Sequence, residues 1–418
     1  MDNKNLQRLR FFESRKNQNH ISDTDRFLYK KPKSQHRICI IGTGTMGQEH
    51  MRVSALLGRA QVVGIFDSQT LSMEVAAENF KEFNDYPLKL YSSLDSACSD
   101  PESDVIFICT PNFTHREILE AALVSGKPIF LEKPMATTVK DALDIVKWSS
   151  SYRSFIQIGL QYRFKAQYSE ALYETLSRKT IGDIKTIALS ESRPPFLDKV
   201  GQWNKFNIKS GGTLLEKCCH YFDLINLLAS SRPMRVYAVG GRAVNFRDFE
   251  YDGVKSDIDD HAFVIIEYVN GVKANFSLNM FSPNFSEELI VVGERGRLVA
   301  AESFDMHQES SGEVLMHIET GERESSREIK LSFPKAIESS GHHGSTYFEH
   351  ISFFDLIEGK QTGAATIGDG FWSIIVATAA QLSVSRGEPV SIEEMLKEEG
   401  EAAYNWLSDH EKKPAGSK

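Results

Sequence analysis

The sequence predicts an α/β protein of two domains. A parallel sheet with helices on both faces is followed by an α+β domain with a large open mixed or antiparallel sheet. The chain has 418 residues, whereas a single hydrophobic core stops growing at about 250–300 residues. Strand-like and helix-like segments alternate over residues 36–157, which is typical of βαβ units. Beyond residue 160, longer strand patterns replace this alternation.

The first domain is predicted over residues 36–157. Its strands are predicted at 37–42, 61–67, 88–93, 104–110, 128–134 and 155–160. Its helices are predicted between them, at 46–57, 71–80, 114–125 and 140–149. The run 104–110 is apolar throughout, as expected for a strand that helices cover on both faces.

The second domain is predicted over residues 158–395. Two strand patterns, 261–269 and 272–281, are joined by Asn270-Gly271, and such a pair between β-rich runs is a strong hairpin signal. The stretch 302–340 is polar and predicts edge hairpins and loops. Helical patterns return at 345–358 and 368–385.

Composition excludes several classes of protein. Hydrophobic residues make up 41% and charged residues 25%, as in globular proteins, and no run reaches the roughly 20 apolar residues of a membrane span. The formal net charge of −9 argues against a nucleic-acid partner. Five cysteines, two of them (Cys39 and Cys109) inside apolar runs, indicate a reducing, cytoplasmic setting.

The two ends of the chain are predicted to lie outside the domains. Residues 1–35 carry nine lysines and arginines against four acids, and this basic extension is either a mobile tail or an arm that orders against a neighbouring subunit. Residues 396–418 are predicted as a C-terminal tail.

A glycine motif follows the first predicted strand and opens the first predicted helix. It reads Gly42-Thr43-Gly44-Thr45-Met46-Gly47, a G-x-G-x-x-G pattern. The first glycine makes the tight turn, the second lets backbone approach a pyrophosphate, and the third permits close helix packing. The helix N-terminus favours the phosphate charge. The motif predicts a dinucleotide site; the alternative is a tight turn in a domain without this ligand.

Asp67 ends the next predicted strand, at about the 20-residue distance expected after such a motif. A carboxylate there is placed to accept hydrogen bonds from ribose hydroxyls and to repel a 2′-phosphate. Ser68 and Gln69 follow it rather than arginine. The sequence therefore favours NAD over NADP.

Residues 104–134 resemble the cofactor domain of the Gfo/Idh/MocA family, the glucose-fructose oxidoreductase and inositol dehydrogenase group. The resemblance is carried by Thr110-Pro111-Asn112, His115 and Glu132-Lys133-Pro134. It continues through 211–228, the turn 292–298 and the C-terminal helices, so it covers roughly residues 36–395. Several motifs occur in the family's order and spacing.

The resemblance implies roles for the matching residues. Lys133 would lie beside the nicotinamide and contact the substrate hydroxyl, and Glu132 resembles the family's cofactor-side acid. Thr110, Pro111 and Asn112 would border the nicotinamide ribose. His115 is grouped with these cofactor residues, although a structural role is favoured for it.

A second group of candidates is predicted on the helix that starts at Gly211-Gly212. Glu216, His220 and Asp223 are spaced i, i+4, i+7 and therefore share one helical face. The family's usual pattern there is D-x-x-x-H-x-x-D, so Glu216 replaces an aspartate, and Lys217-Cys218-Cys219 replaces the usual apolar-Gly-x run. Adjacent cysteines do not give the spacing of a zinc site, and no metal is expected. A merely solvated polar face is the remaining alternative.

Further substrate contacts are predicted on weaker signals. Tyr162 and Arg163 follow the strand that leaves the first domain, where the family often places an arginine. Trp203 and Asn204 precede the glycine turn, and His342, His343 and Tyr347 open a late helix. Surface or packing roles are the alternative for each.

The resemblance implies an NAD-dependent dehydrogenase that acts on CH–OH donors and oxidises a secondary hydroxyl of a cyclic polyol or sugar. His220 would take the hydroxyl proton and Lys133 would stabilise the developing alkoxide, while Glu216 and Asp223 would hold neighbouring hydroxyls or orient the imidazole. The alternatives are a redox-neutral glycosidase or epimerase that recycles NAD, and a non-catalytic dinucleotide sensor. Relatives commonly pair through the open sheet, which implies a homodimer or homotetramer.

Overall fold

The computed structural model describes residues 34–84, 86–304, 313–321, 326–401, 403, 405 and 406. Most of the predicted basic extension (1–33) and most of the predicted tail (402, 404 and 407–418) lie outside these described residues.

A parallel sheet forms the first domain, as predicted. Its described strands are β1 (His36–Ile41), β2 (Ala60–Phe66), β3 (Lys89–Leu90), β4 (Val105–Ile108), β5 (Ile129–Glu132) and β6 (Ile156–Gly159). Their order is β3-β2-β1-β4-β5-β6, with every pair parallel. The strand order reverses between β1 and β4, and the carboxyl ends of strands at such a point form the usual ligand crevice.

The helices of this domain connect successive strands. They are α1 (Thr45–Leu57), α2 (Thr70–Phe80), α3 (Leu94–Ser99), α4 (His115–Leu123) and α5 (Val139–Ser151). The predicted strand 88–93 is shorter than expected, since β3 holds only Lys89 and Leu90, and Ser93 caps α3 through a reciprocal pair of hydrogen bonds with Ser96. This serine cap was not recognised in the sequence.

A mixed sheet forms the second domain. Its described strands are β7 (Ile184–Ser192), β8 (Pro233–Gly241), β11 (His261–Tyr268), β12 (Lys273–Asn279), β13 (Phe285–Gly293), β14 (Gly296–Phe304), β15 (Glu313–Thr320), β16 (Arg327–Lys330) and β17 (Val390–Ser391). The order is β16-β15-β14-β13-β7-β12-β11-β8-β17, and β9 (Glu250–Tyr251) pairs with β10 (Val254–Lys255) separately. The β11–β12 hairpin at Asn270-Gly271 is confirmed. Strands β15 and β16 place the polar stretch at the sheet edge.

Helices cover one face of the mixed sheet. The described helices that follow the first domain, not all of which lie on this face, are α6 (Ala166–Leu172), α7 (Asn207–Ser210), α8 (Thr213–Glu216), α9 (Cys219–Ala229), α10 (Lys335–Glu338), α11 (Ser345–Ile357), α12 (Ile367–Arg386) and α13 (Ile392–Glu398). Among the described helices, α12 is long and apolar enough to cross a membrane. It packs against α5, α9 and β8 and is therefore a core helix.

Helix α11 completes the core of the first domain. It packs against α1, and its residues Tyr347, Phe353 and Phe354 are buried in one cluster with Ile38 and Phe107 of the parallel sheet. A segment far along the chain thus covers one face of the first sheet.

On the other face of the mixed sheet, the described part of the chain leaves apolar side chains exposed. Phe263 faces Val239 and Ile265 faces Tyr237 across β11 and β8, and these four side chains are 37–61% exposed. The result is a contiguous apolar surface on the outer side of the sheet.

Candidate active site

The glycine turn has the shape that a dinucleotide needs. Gly42 has φ +93°, and a Cβ there would lie 2.6 Å from the Cys109 carbonyl carbon. A Cβ on Gly47 would lie 2.0 Å from the Gly42 oxygen, whereas one on Gly44 would meet no described atom within 4 Å. Among the described residues, α1 begins at Thr45 with no capping side chain and no acid in its first turn. The turn therefore offers open space and a helix N-terminus to an anion.

Asp67 lies beside this turn. Its Oδ2 accepts hydrogen bonds from the backbone N–H of Thr43 (2.8 Å) and from the Thr43 hydroxyl (3.2 Å), and its Oδ1 accepts from the Gln69 N–H (2.9 Å). Met46 is half-buried in the core of the first domain. The glycine motif and the carboxylate thus form one surface at the ends of β1 and β2.

His115 joins the two loops that carry the family motifs. Its ring nitrogens bind the carbonyl oxygens of Pro134 (2.8 Å) and Thr110 (2.9 Å), and burial lowers the pKa of its imidazole. The side chain is fully buried. His115 therefore positions the Thr110-Pro111 loop against the loop after β5, which is the favoured structural role.

Lys133 and Glu216 meet after β5. The Lys133 ammonium donates to the Glu216 carbonyl (2.9 Å) and lies 3.7 Å from its carboxylate. Burial alone would lower the pKa of Lys133, but Glu216, together with Cys219 and Glu132, raises it. Burial would raise the pKa of Glu216, but Lys133, Lys199 (3.4 Å) and the Asn112 amide (2.5 Å) together lower it. Both groups are therefore charged.

Glu132 is bound by its own loop and by α1. Its Oε2 accepts the Lys133 backbone N–H (3.0 Å), and its Oε1 lies 2.8 Å from Nε2 of His50 on α1. His50 in turn contacts His350 of α11 (2.7 Å). This buried carboxylate consequently holds the backbone that presents Lys133.

His220 is buried against Tyr162. The two rings stack with centroids 4.1 Å apart, and Nδ1 of His220 has no hydrogen-bond partner among the described residues. Burial first, and then the ammonium groups of Lys133 and Lys217, lower its pKa well below 6.5. The imidazole is therefore neutral near pH 7 and able to accept a proton.

The predicted single helical face is interrupted. Helix α8 ends at Glu216 and α9 begins at Cys219, so Glu216 and His220 lie on different helices. Lys217, at the break, donates to the Tyr162 hydroxyl (2.6 Å). Both side chains still lie close enough to Lys133 for its charge to shift their pKa values.

Asp223 and Arg163 bind each other. The guanidinium makes two hydrogen bonds to the carboxylate, at 2.6 and 2.5 Å, and also contacts Asp369 of α12 at 3.1 Å. Burial raises the pKa of Asp223 to about 6 in spite of Arg163. These two predicted substrate contacts form a buried ion pair that fixes the turn after β6 to α9 and α12.

The remaining candidates lie in different places. Trp203 is nearly buried, and the Lys199 ammonium lies 4.5 Å above its ring, so it supports a residue of the site. Tyr347 is fully buried in the core of the first domain. His342 binds Glu49 at 2.8 Å and His343 binds Glu302 at 2.5 Å.

Several charged residues in and near the candidate site were not singled out in the sequence. Lys199 lies in the loop after β7 and had no periodic signal. Other charged residues lie on or beside the mixed sheet: Lys165, Glu191, Arg193, Glu287 and Glu302. The acids had a signal, since each occupies an inward position in the two-residue alternation of its strand.

Two family models match the chain. The model of the Gfo/Idh/MocA NAD-binding Rossmann fold matches residues 36–159, and that of the C-terminal alpha/beta domain matches residues 174–392. The myo-inositol 2-dehydrogenase of Thermotoga maritima is 23% identical over 366 residues, 86% of this chain and 99% of the relative. The inositol 2-dehydrogenase of Acidothermus cellulolyticus is 25% identical over 280 residues, 66% and 76% of the two chains.

The solved structures show the same fold. A levoglucosan dehydrogenase in complex with NADH and levoglucosan superposes with a TM-score of 0.71 at 20% identity, over 85% of this chain and 99% of the other. The predicted parallel cofactor domain followed by a mixed-sheet domain is thereby confirmed, as is the prediction of an NAD-binding domain.

Proposed function

Because the chain belongs to the Gfo/Idh/MocA family of oxidoreductases, we propose that it oxidises a secondary hydroxyl of a cyclic polyol or sugar with NAD. The observation that carries the proposal is that the Lys133 ammonium, after β5, is bonded to the carbonyl of Glu216 (2.9 Å), four residues before His220, whose buried Nδ1 has no partner among the described residues. An ammonium and an unprotonated imidazole are the pair that alcohol oxidation needs, one for the alkoxide and one for the proton.

The residues of this chain divide the work in the proposed reaction. His220 takes the hydroxyl proton, and Lys133 donates a hydrogen bond to the same oxygen as negative charge develops on it. Bound NAD would supply the acceptor for the hydride that leaves the substrate carbon. Glu216, held by Asn112 and Lys199, keeps Lys133 charged and offers an acceptor to a neighbouring hydroxyl.

NAD rather than NADP is the proposed cofactor. The Asp67 carboxylate is tied to the glycine turn through Thr43, so it cannot swing away without losing two hydrogen bonds. A 2′-phosphate would bring about 1.5–2 negative charges next to it.

A homodimer or homotetramer is the proposed assembly. The apolar surface of Phe263, Ile265, Tyr237 and Val239 on the open sheet face is the kind of patch that marks a protein interface.

A screen of NAD reduction tests the function. Inositols, pyranosides, lactate and ethanol are assayed with the wild type and with Lys133→Met, and we expect a cyclic polyol or pyranoside to give the highest kcat/KM. Highest activity on lactate or ethanol would contradict the substrate class. Turnover of a sugar without NADH accumulation would favour the redox-neutral reaction, and absence of turnover would favour the sensor.

A further inference from the structure

Two buried histidines connect helix α11 to the loop that carries Lys133. Nδ1 of His50 lies 2.7 Å from Nε2 of His350, and Nε2 of His50 lies 2.8 Å from Oε1 of Glu132. Oε2 of Glu132 accepts the backbone N–H of Lys133 at 3.0 Å. His350, His50 and Glu132 form a histidine chain, which runs from α11 through α1 to the end of β5.

The histidine chain lies in an apolar, aromatic layer. Both histidines are fully buried, and Glu132 is 3% exposed. The His50 ring packs edge-on against Phe107 and Phe130, with ring centroids 5.4 and 5.0 Å apart. Well-packed apolar side chains of similar volume often stabilise a core as well as or better than buried ionic groups do. Stability alone therefore does not account for this chain.

The donors of the chain run from α11 towards Glu132. A carboxylate only accepts hydrogen bonds, so His50 donates to it from Nε2. Burial, and then His50, lower the pKa of His350 well below 6.5, so the His350 ring is neutral and carries one N–H. Its Nδ1 has no partner among the described residues, and a proton there would leave a buried N–H unpaired, which is costly. The proton therefore lies on Nε2, and His350 donates to His50 and fixes its tautomer.

Glu132 is confined on its other side by β6. Gly159 pairs with it in register, and a Cβ on Gly159 would lie 3.1 Å from both the carboxyl carbon and Oε2 of Glu132. His50 holds Oε1, and the backbone of β6 passes close to Oε2. The carboxylate is thus held in one orientation.

The backbone around Lys133 is held on both sides. Its N–H is bound by Glu132, and the carbonyl oxygen of the next residue, Pro134, is bound by His115 at 2.8 Å. The Lys133 ammonium then reaches the Glu216 carbonyl at 2.9 Å. A donor to a developing alkoxide is effective when it is held in place before the charge appears, so the hold on this backbone bears on the reaction.

We propose that His350 is a positioning residue of the reaction, which acts through His50 and Glu132 to direct the Lys133 ammonium at the substrate oxygen. This inference rests on the proposed function, in which Lys133 is the donor to that oxygen. Because His350 is fully buried, it acts on the substrate only through the other residues of the histidine chain.

Two substitutions of His350 form a matched pair, assayed in the full chain with NAD. His350→Leu removes the donor to His50, whereas the amide of His350→Gln can still donate. A 1 Å misplacement can cost about 10² in rate, and we expect His350→Leu to reduce kcat about tenfold with little change in KM. His350→Gln should stay near the wild-type rate. Ile351→Ala, at the next residue of α11 and packed against the same core, should lower the melting temperature without changing kcat.

A double-mutant cycle separates positioning from a general loss of structure. In the Lys133→Met background, His350→Leu should cost little more, because the ammonium through which it acts is already absent. An equal loss in both backgrounds, or an equal loss in His350→Leu and His350→Gln, overturns the inference. If His350→Leu does not fold, His350→Phe, which keeps a planar ring without a donor, takes its place with the same expectations.

Hydrogen exchange tests the inference without turnover. In the NAD-bound protein, the peptide that contains Lys133 should exchange faster in His350→Leu, and at the wild-type rate in His350→Gln and Ile351→Ala. Unchanged kcat in His350→Leu overturns the inference and leaves the function standing. If the wild type oxidises no substrate of the screen, the function fails and exchange decides: faster exchange in His350→Leu alone supports the inference, and equal exchange in all three variants refutes it.

Discussion

Replacing Lys133 by methionine removes the ammonium while keeping much of the apolar stem. Its hydrogen bond to the Glu216 carbonyl is lost, but the Glu216 carboxylate keeps Asn112 and Lys199. The Glu216 carboxylate therefore keeps a cation, so the fold should survive with a stability loss of about 1.5–3 kcal/mol, the range for one charged hydrogen bond. The missing donor to the alkoxide should reduce kcat by about 10²–10³, equivalent to about 3–4 kcal/mol.

The assay for Lys133→Met combines two measurements. NAD binding, followed by fluorescence, should stay within a few-fold, because the glycine turn and Asp67 lie at the ends of β1 and β2. Steady-state rates are measured on the best substrate of the screen. The double variant with His220→Ala should lose less than the product of the single losses, since both groups act on one oxygen. Turnover near the wild-type rate in Lys133→Met would refute the catalytic assignment.

Three further predictions follow from the site and the open face. NAD should bind at least about tenfold more tightly than NADP, a difference of about 1.4 kcal/mol in binding free energy. Asp67→Asn should reduce this difference between the two dissociation constants. Tighter binding of NADP than of NAD to the wild type would contradict the prediction. His220 must be neutral to act as a base, so the acidic limb of the pH profile of kcat/KM should lie below pH 6.5. Lys217→Met removes a cation that lowers the pKa of His220 and should therefore move this limb to higher pH. A shift of the limb to lower pH would argue against His220 as the base. Phe263→Glu should yield smaller species in analytical ultracentrifugation, and an unchanged oligomer would exclude this face as the interface.

The sequence predicted those features that depend on local patterns. The glycine motif after β1 and the Asn270-Gly271 hairpin are written into a few adjacent residues, and the structure has both. A structural role was also favoured for His115, and in the structure its ring joins the loops of Thr110 and Pro134. Its partners lie in the motifs that carried the resemblance.

The features that were missed depend on distant contacts. No glycine or proline marks the break between α8 and α9, where Lys217 reaches Tyr162 and Glu191. The Arg163–Asp223 pair joins residues separated by 60 positions. The alignment of Glu191, Glu287 and Glu302 likewise requires the register of three strands, β7, β13 and β14. Periodicity places each side chain inward, but only the folded sheet places the carboxylates opposite one another.

The dependence of the first core on α11 has a consequence for how the chain folds during synthesis. Tyr347, Phe353 and Phe354 cover Ile38 and Phe107, yet they leave the ribosome long after β6. At about 5–20 residues per second, the delay is on the order of 10–40 s. During that time the nascent parallel sheet presents an uncovered apolar face to solvent and to chaperones. A messenger RNA truncated before the codons of α11 should therefore yield an insoluble fragment rather than an independently folded cofactor domain.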